Sequence, residues 1–129
     1  MERVLGIGGL FVRAEDPAAL GGWYADNLGV PMPPESYGEP SWWQHAGPTV
    51  FAAMDDASGH FGRPAQTWAV NFRVRDLDAM VDQLRRAGVV VRVNSETYPN
   101  GRFADLHDPE RNPVQLWEPA GGDLLGPDG

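Results

Sequence analysis

The sequence has no cysteine. That absence removes disulfides, thiolate metal sites and cysteine nucleophiles together, and it leaves the redox compartment open. Basic residues are scarce as well: ten Lys and Arg stand against eighteen Asp and Glu, for a formal net charge of −8. Without a basic stripe to neutralise phosphates, neither nucleic acid nor an anionic membrane surface is an expected partner. An acidic surface that aids solubility is sufficient to account for the charge. No apolar run approaches the length of a membrane span, and residues 1–10 lack the basic start and long apolar core of a signal peptide. A cytoplasmic location is the expectation.

What is present suffices for a folded domain. The chain has 129 residues, of which 42% are hydrophobic. That length fits one domain, or two small modules sharing a sheet. The most ordered stretch is residues 102–119, RFADLHDPERNPVQLWEP. Phe103, Asp105 and His107 alternate with Ala104 and Leu106. Asp108 to Pro113 is turn chemistry, and Val114 and Leu116 then alternate with Gln115 and Trp117. Such a hairpin hides one face in a core and shows the other to solvent or to a pocket.

From the start of the chain, residues 7–14 (IGGLFVRA) read as a strand. Asp16-Pro17 opens a helix, with Asp accepting free amide hydrogens and Pro at the first helical position. Leu20, Trp23, Tyr24 and Leu28 follow at helical spacing, and Gly29 is placed to end the helix. Residues 31–40 contain four prolines and cannot stay regular for long. Residues 41–45 (SWWQH) and 49–54 (TVFAAM) read as a short hairpin, and residues 55–66 as a linker. The pattern then restarts. Residues 67–74 (TWAVNFRV) read as a strand, Asp76 as an N-cap, and Leu77, Met80, Val81 and Leu84 as a helical stripe closed by Gly88. Residues 89–93 read as a further strand.

The restart is a duplication. GLFVRAEDPAAL, residues 9–20, aligns without a gap on AVNFRVRDLDAM, residues 69–80. Leu10 meets Val70, Val12 meets Phe72, Arg13 meets Arg73 and Asp16 meets Asp76. Residues 49–53 likewise meet residues 113–117. The expected fold is therefore α+β, built from two tandem βαβββ modules over residues 5–54 and 67–119, followed by a loose tail over 120–129. Side by side, the modules would curl into a mixed-sheet half-barrel with helices on the convex face and a ligand pocket on the concave one.

The duplicated pattern, with GGLFVRAEDPAALGGWYADNLGV, VNFRVRDLDAMVDQLRRAGV and FADLHDPERNPVQLWEP, resembles the vicinal oxygen chelate superfamily. That group includes glyoxalase I, bleomycin-resistance proteins, fosfomycin-resistance enzymes and extradiol dioxygenases. The resemblance spans about residues 5–119 and speaks for fold more than for function. It implies homodimers, some of which build each pocket from two chains. It also implies a divalent metal held by His or Glu from the first and last strand of each module. In this chain those positions fall on Gly9, Phe51, Ala69 and Gln115. Three have no side-chain ligand atom, and Gln115 offers one neutral oxygen, so no metal or other cofactor is expected.

The expected pocket wall combines Phe11, Phe51, Phe103 and Trp117 with Arg13, Asn71, Arg73 and Gln115, a set suited to a planar or amphipathic organic guest. The two arginines either face a ligand or pair with carboxylates such as Glu15 or Asp105. His107 with Asp105 is the candidate acid–base pair; the plainer alternative is a strand-end histidine bonded to its turn. His45 lies near the expected pocket mouth, and His60 reads as a solvated loop residue. The loop at 31–40 beside Trp42-Trp43 is a candidate lid or dimer contact. Three functions follow in order: a metal-independent small-molecule binder of the drug-sequestering kind, a metal-independent isomerase or lyase using His107 and Asp105, and a divergent metal enzyme.

Overall fold

Leu77, Val81 and Leu84 recur along one side of helix α2 (Leu77–Arg86), and all three are buried. They close the core against Ala104 and Leu106 of strand β3 (Gly101–His107) and Val114 and Leu116 of strand β4 (Pro113–Pro119). The computed structural model describes residues 1–126; residues 127–129, the end of the expected tail, lie outside the described residues. Strands β1 (Val70–Arg73) and β2 (Arg92–Val93) complete a four-stranded open sheet of order β1-β4-β3-β2. β1 runs parallel to β4, and the other neighbours are antiparallel, so the sheet is mixed. Helix α2 supplies the crossover that a parallel pair needs. The second copy of the repeat thus forms one complete βαβββ unit in an α+β fold.

Helix α1 (Pro17–Leu28) starts and stops on the expected residues. Asp16 Oδ1 accepts from Ala19 N at 3.1 Å, and Gly29 ends the helix in the left-handed region with φ 72°. Asp76 does the same for α2, accepting from Ala79 N at 3.0 Å. Each helix start also meets a second carboxylate, and both come from the β3–β4 hairpin. Glu110 Oε1 accepts from Glu15 N at 2.7 Å, and Glu118 Oε1 accepts from Leu77 N at 3.2 Å. Carboxylates at these ends answer the free amides and the positive end of the helix dipole.

The hairpin turn carries a denser network. Asp108 is 4% exposed, and its carboxylate accepts four hydrogen bonds. The Tyr24 hydroxyl donates at 2.7 Å, Glu110 N at 2.8 Å, Asn112 N at 3.0 Å and Asn112 Nδ2 at 2.7 Å. Residues 108–112 join the strands; Asp108 N donates to the Asn112 carbonyl at 3.1 Å, which leaves Pro109 to Arg111 as the loop, with Arg111 at φ 66°. This is the three-residue hairpin loop that ends on a left-handed position. Tyr24 sits edge-on to Trp23 and to Phe72, so the turn fixes α1 against the same core that α2 covers.

The first copy of the repeat differs from expectation. It forms its helix, but residues 7–14, 41–45 and 49–54, read as strands, run without regular structure and are mostly exposed. Phe11 is 96% and Phe51 90% exposed. The expected half-barrel is accordingly a single open sheet. The physical reason lies in α1. Trp23, Tyr24 and Leu28 pack on the core of the second unit, so the first three strand segments have no helix to cover them. A short ribbon with no covered face is marginal in water.

The Tyr24–Asp108 bond makes a testable demand. Burial, then the Asp108 hydrogen bond and charge, push the Tyr24 phenol well above its ordinary value. The folded chain therefore keeps a proton that the unfolded chain loses, and stability falls as pH rises from about 10 upward. The sequence has no lysine to obscure this range. Denaturant unfolding followed from pH 8 to pH 11 (roughly the span in which a free phenol titrates) should show this decline. Tyr24→Phe should lose the part of it due to Tyr24 and be destabilised by about 1 kcal/mol at neutral pH.

Candidate functional site

The sheet face opposite the helices is set by the period of the strands. Val70, Phe72, Ala104, Leu106, Val114 and Leu116 point to the core, which turns Asn71, Arg73, Phe103, Asp105, Gln115 and Trp117 to the open side. Register brings them together: Asn71 lies beside Gln115, Arg73 beside Trp117, Phe103 beside Trp117 and Asp105 beside Gln115. Five of the eight residues expected to line a pocket therefore share one face. Phe11, Arg13 and Phe51 lie on the irregular segments and are exposed.

Contacts on this face are specific. Asn71 Nδ2 donates to Gln115 Oε1 at 2.8 Å. The Phe103 and Trp117 rings are parallel to within 3°, with centroids 6.1 Å apart. Trp117 is only 4% exposed, and its Nε1–H donates to the Asn100 carbonyl at 2.8 Å. The indole is thus a fixed floor, and Phe103, half-buried, is the more accessible ring. Gly101 permits the close approach beside it. Its φ is 136°, and a side chain there would run into the Glu118 carbonyl and the Trp117 indole. Arg73 pairs with neither Glu15 nor Asp105. It donates from Nη2 to the His45 carbonyl at 2.8 Å, which draws the 41–47 segment over the sheet. A side chain at Gly47 would collide with that guanidinium.

His107 and Asp105 share a strand and a face, but no hydrogen bond joins them among the described residues. Asp105 lies 3.7 Å from Arg92 across the β2–β3 pair. Both residues open onto a groove of about 550 Å³ at the outer edge of β3, together with Trp23, Val89, Val90 and Arg92. His45 is exposed beside the open face, and His60 is exposed in a single 3-10 turn, Gly59–Phe61. At the four positions where the resemblance implies a metal, Gly9, Phe51 and Ala69 supply no donor, and the Gln115 oxygen already accepts from Asn71. That set does not fit a divalent cation. Among the described residues no cluster of three or more His, Asp or Glu side chains is disposed as ion ligands.

Sequence reasoning missed the parts that hold the site. The sequence marks Tyr24 only by its helical spacing, and Asp108 and Glu110 only as turn residues. Their partners lie 84 and 95 residues away in sequence, a separation that no local pattern reports. The Asp-Pro start of the turn was the one available signal. No helix is long and apolar enough to cross a membrane among the described residues.

Comparison with known proteins bears on the fold. Residues 9–117 match the model of the Glyoxalase-like domain. The antibiotic binding protein TnmS3 from Streptomyces sp. CB03234 aligns over 92% of this chain and all of its own, with a TM-score of 0.57 and 19% identity. A glyoxalase/bleomycin resistance protein from the same Streptomyces aligns at 33% identity over 38% of this chain and 42% of its own, with a TM-score of 0.35. A putative glyoxalase family protein from Bacillus anthracis aligns at 23% identity over 44% and 46%, with a TM-score of 0.38. The chain thus covers less than half the length of those last two structures. No curated protein matches it. The match over residues 9–117, together with the βαβββ unit, establishes that this chain belongs to the glyoxalase-like domain family, within the vicinal oxygen chelate superfamily.

Proposed function

We propose that the chain is a small-molecule-binding protein that needs no metal and holds an organic guest against its open sheet face, in the sequestering manner of bleomycin-resistance proteins. The observation that carries this reading is the grouping of Asn71, Arg73, Phe103 and Gln115 on one face above the Trp117 floor. A flat apolar ring with a few fixed polar groups around it suits a planar, partly polar molecule. Arg73 supplies a cationic donor for a carbonyl or acid group on the guest. The likeness in fold to an antibiotic binding protein supports the same reading. A catalytic role for His107 and Asp105 has less support, because the two are not hydrogen-bonded and open toward the sheet edge.

A second copy of the chain completes the site in this proposal. Leu5, Ile7, Leu10, Phe11, Trp43, Val50 and Phe51 are exposed, and β1 has no strand on its outer side among the described residues. Apolar segments of this extent and an unpaired strand edge both call for cover. The same segments carry the first-module residues expected in the pocket, Phe11, Arg13 and Phe51.

Two measurements test these statements. Screening of planar antibiotics and aromatic acids by thermal unfolding should find a guest that raises the midpoint by several degrees, as about 2.7 kcal/mol of stabilisation at a hundredfold excess over Kd requires. The rise should survive EDTA and shrink in Asn71→Ala. A shift abolished by EDTA would contradict metal independence, and a panel with no shift would remove the binding proposal. Sedimentation velocity should give the mass of two chains at micromolar concentration. A single-chain mass would overturn the dimer.

A further inference from the structure

We propose a second binding site, beside the open face and reaching round the outer edge of β3, for a flat aromatic carboxylate. The groove measures about 550 Å³, within the range of sites that take organic ligands. Trp23, Val89, Val90, Leu106 and Pro109 form its apolar part. Trp23 is held edge-on to Tyr24 at 5.0 Å between ring centroids, and Tyr24 is anchored by Asp108. The indole is therefore positioned before any ligand arrives, which lowers the ordering cost of binding.

The polar end of the groove comes from an interrupted ladder. β2 pairs with β3 only through Arg92 and Val93. Asn94 N donates to the Phe103 carbonyl at 2.9 Å, so the hydrogen-bonding residues of β3 on this side are Phe103, Asp105 and His107. Val90 would be the partner of His107, but it is not in the ladder, and its side chain points to solvent at 87% exposure. Among the described residues the His107 N–H thus faces the groove without a strand partner, next to its own exposed imidazole. Across from it stands Arg92. Its side chain is 84% exposed, and its only carboxylate neighbour among the described residues, Asp105, is 3.7 Å away. A loose, single-oxygen contact leaves the rest of the guanidinium fork for a ligand carboxylate. Asp108, the other acid at the groove, does not compete for Arg92, because four donors already satisfy it. The ring of the ligand lies along Trp23 and Val89, and its carboxylate meets Arg92 and the His107 N–H.

Amide NMR titration of isotope-labelled protein with naphthoate, and separately with naphthylmethylamine, tests this site. Naphthoate should shift the amides of Val90, Arg92 and His107, and it should bind more tightly than the amine. Arg92→Gln, an exposed substitution that spares the core, should raise the naphthoate Kd roughly tenfold, the equivalent of one charge-assisted contact. Arg3→Gln, the same charge change elsewhere, should leave it unaltered. The proposal is overturned if those three amides do not move, if the amine binds as tightly as the acid, or if Arg92→Gln binds like the parent. Shifts confined to Asn71 and Gln115 would place naphthoate on the open face alone, which sinks the groove site and spares the proposed function.

Discussion

A single buried carboxylate holds this fold in its observed form. Asp108 sits at the turn between the two longest strands, and its four hydrogen bonds serve two purposes at once. Three of them close the turn on itself and so fix the register of β3 against β4. The fourth reaches 84 residues back to Tyr24 and seats α1 on the core. A buried carboxylate without partners is costly, and one satisfied by well-placed donors is correspondingly selective for its surroundings. Glu110, two residues on, extends the clamp by capping the start of α1. Glu118, at the other end of β4, caps α2. One hairpin therefore anchors α1 and α2 on the same side of the sheet, and it is this that leaves the opposite side open for Asn71, Arg73, Phe103 and Gln115.

The same clamp accounts for what the first half of the chain does not do. Its helix is committed to the second unit, so its three strand segments have neither cover nor a ladder. They carry Phe11, Phe51 and Trp43 into solvent. The contact between Arg73 and the His45 carbonyl is the point at which one of these segments touches the open face. Three of the eight residues expected in the pocket wall, Phe11, Arg13 and Phe51, lie on these irregular segments beside the open face, and the proposed second chain would bring them to it. The open face is made by strands, and the segments beside it have no regular structure.

Local signals in the sequence carried most of the second unit. Alternation in residues 102–119 placed Gln115 and Trp117 opposite Leu116, as observed, because strand period leaves no other choice once the core face is known. Asp16, Asp76 and Gly29 marked helix ends through their own chemistry. The duplication identified the unit, and the family match covers it. What the sequence could not show depends on distance. The strand pattern of residues 7–14 is as good as that of residues 67–74, yet only the second forms a strand in this chain. The difference lies in α1, which packs Trp23, Tyr24 and Leu28 on the core of the second unit, with Tyr24 bonded to Asp108. Trp117 shows the same limit: alternation gave its face, whereas its burial depends on Phe103 and the Asn100 carbonyl. His107 and Asp105 share a face as read, but the interrupted β2 ladder puts them at an edge groove with Arg92.

The claim that Asp108 seats α1 is open to one direct measurement. Native-state hydrogen exchange on Asp108→Ala should show amides in the second half of α1, such as those of Tyr24 and Leu28, exchanging far faster than in the parent. The amides of Ala104 and Leu116, in the middle of the β3–β4 pair, should remain the better protected set. Unchanged protection across α1 in Asp108→Ala would contradict the account, because the helix would then be held by apolar packing alone.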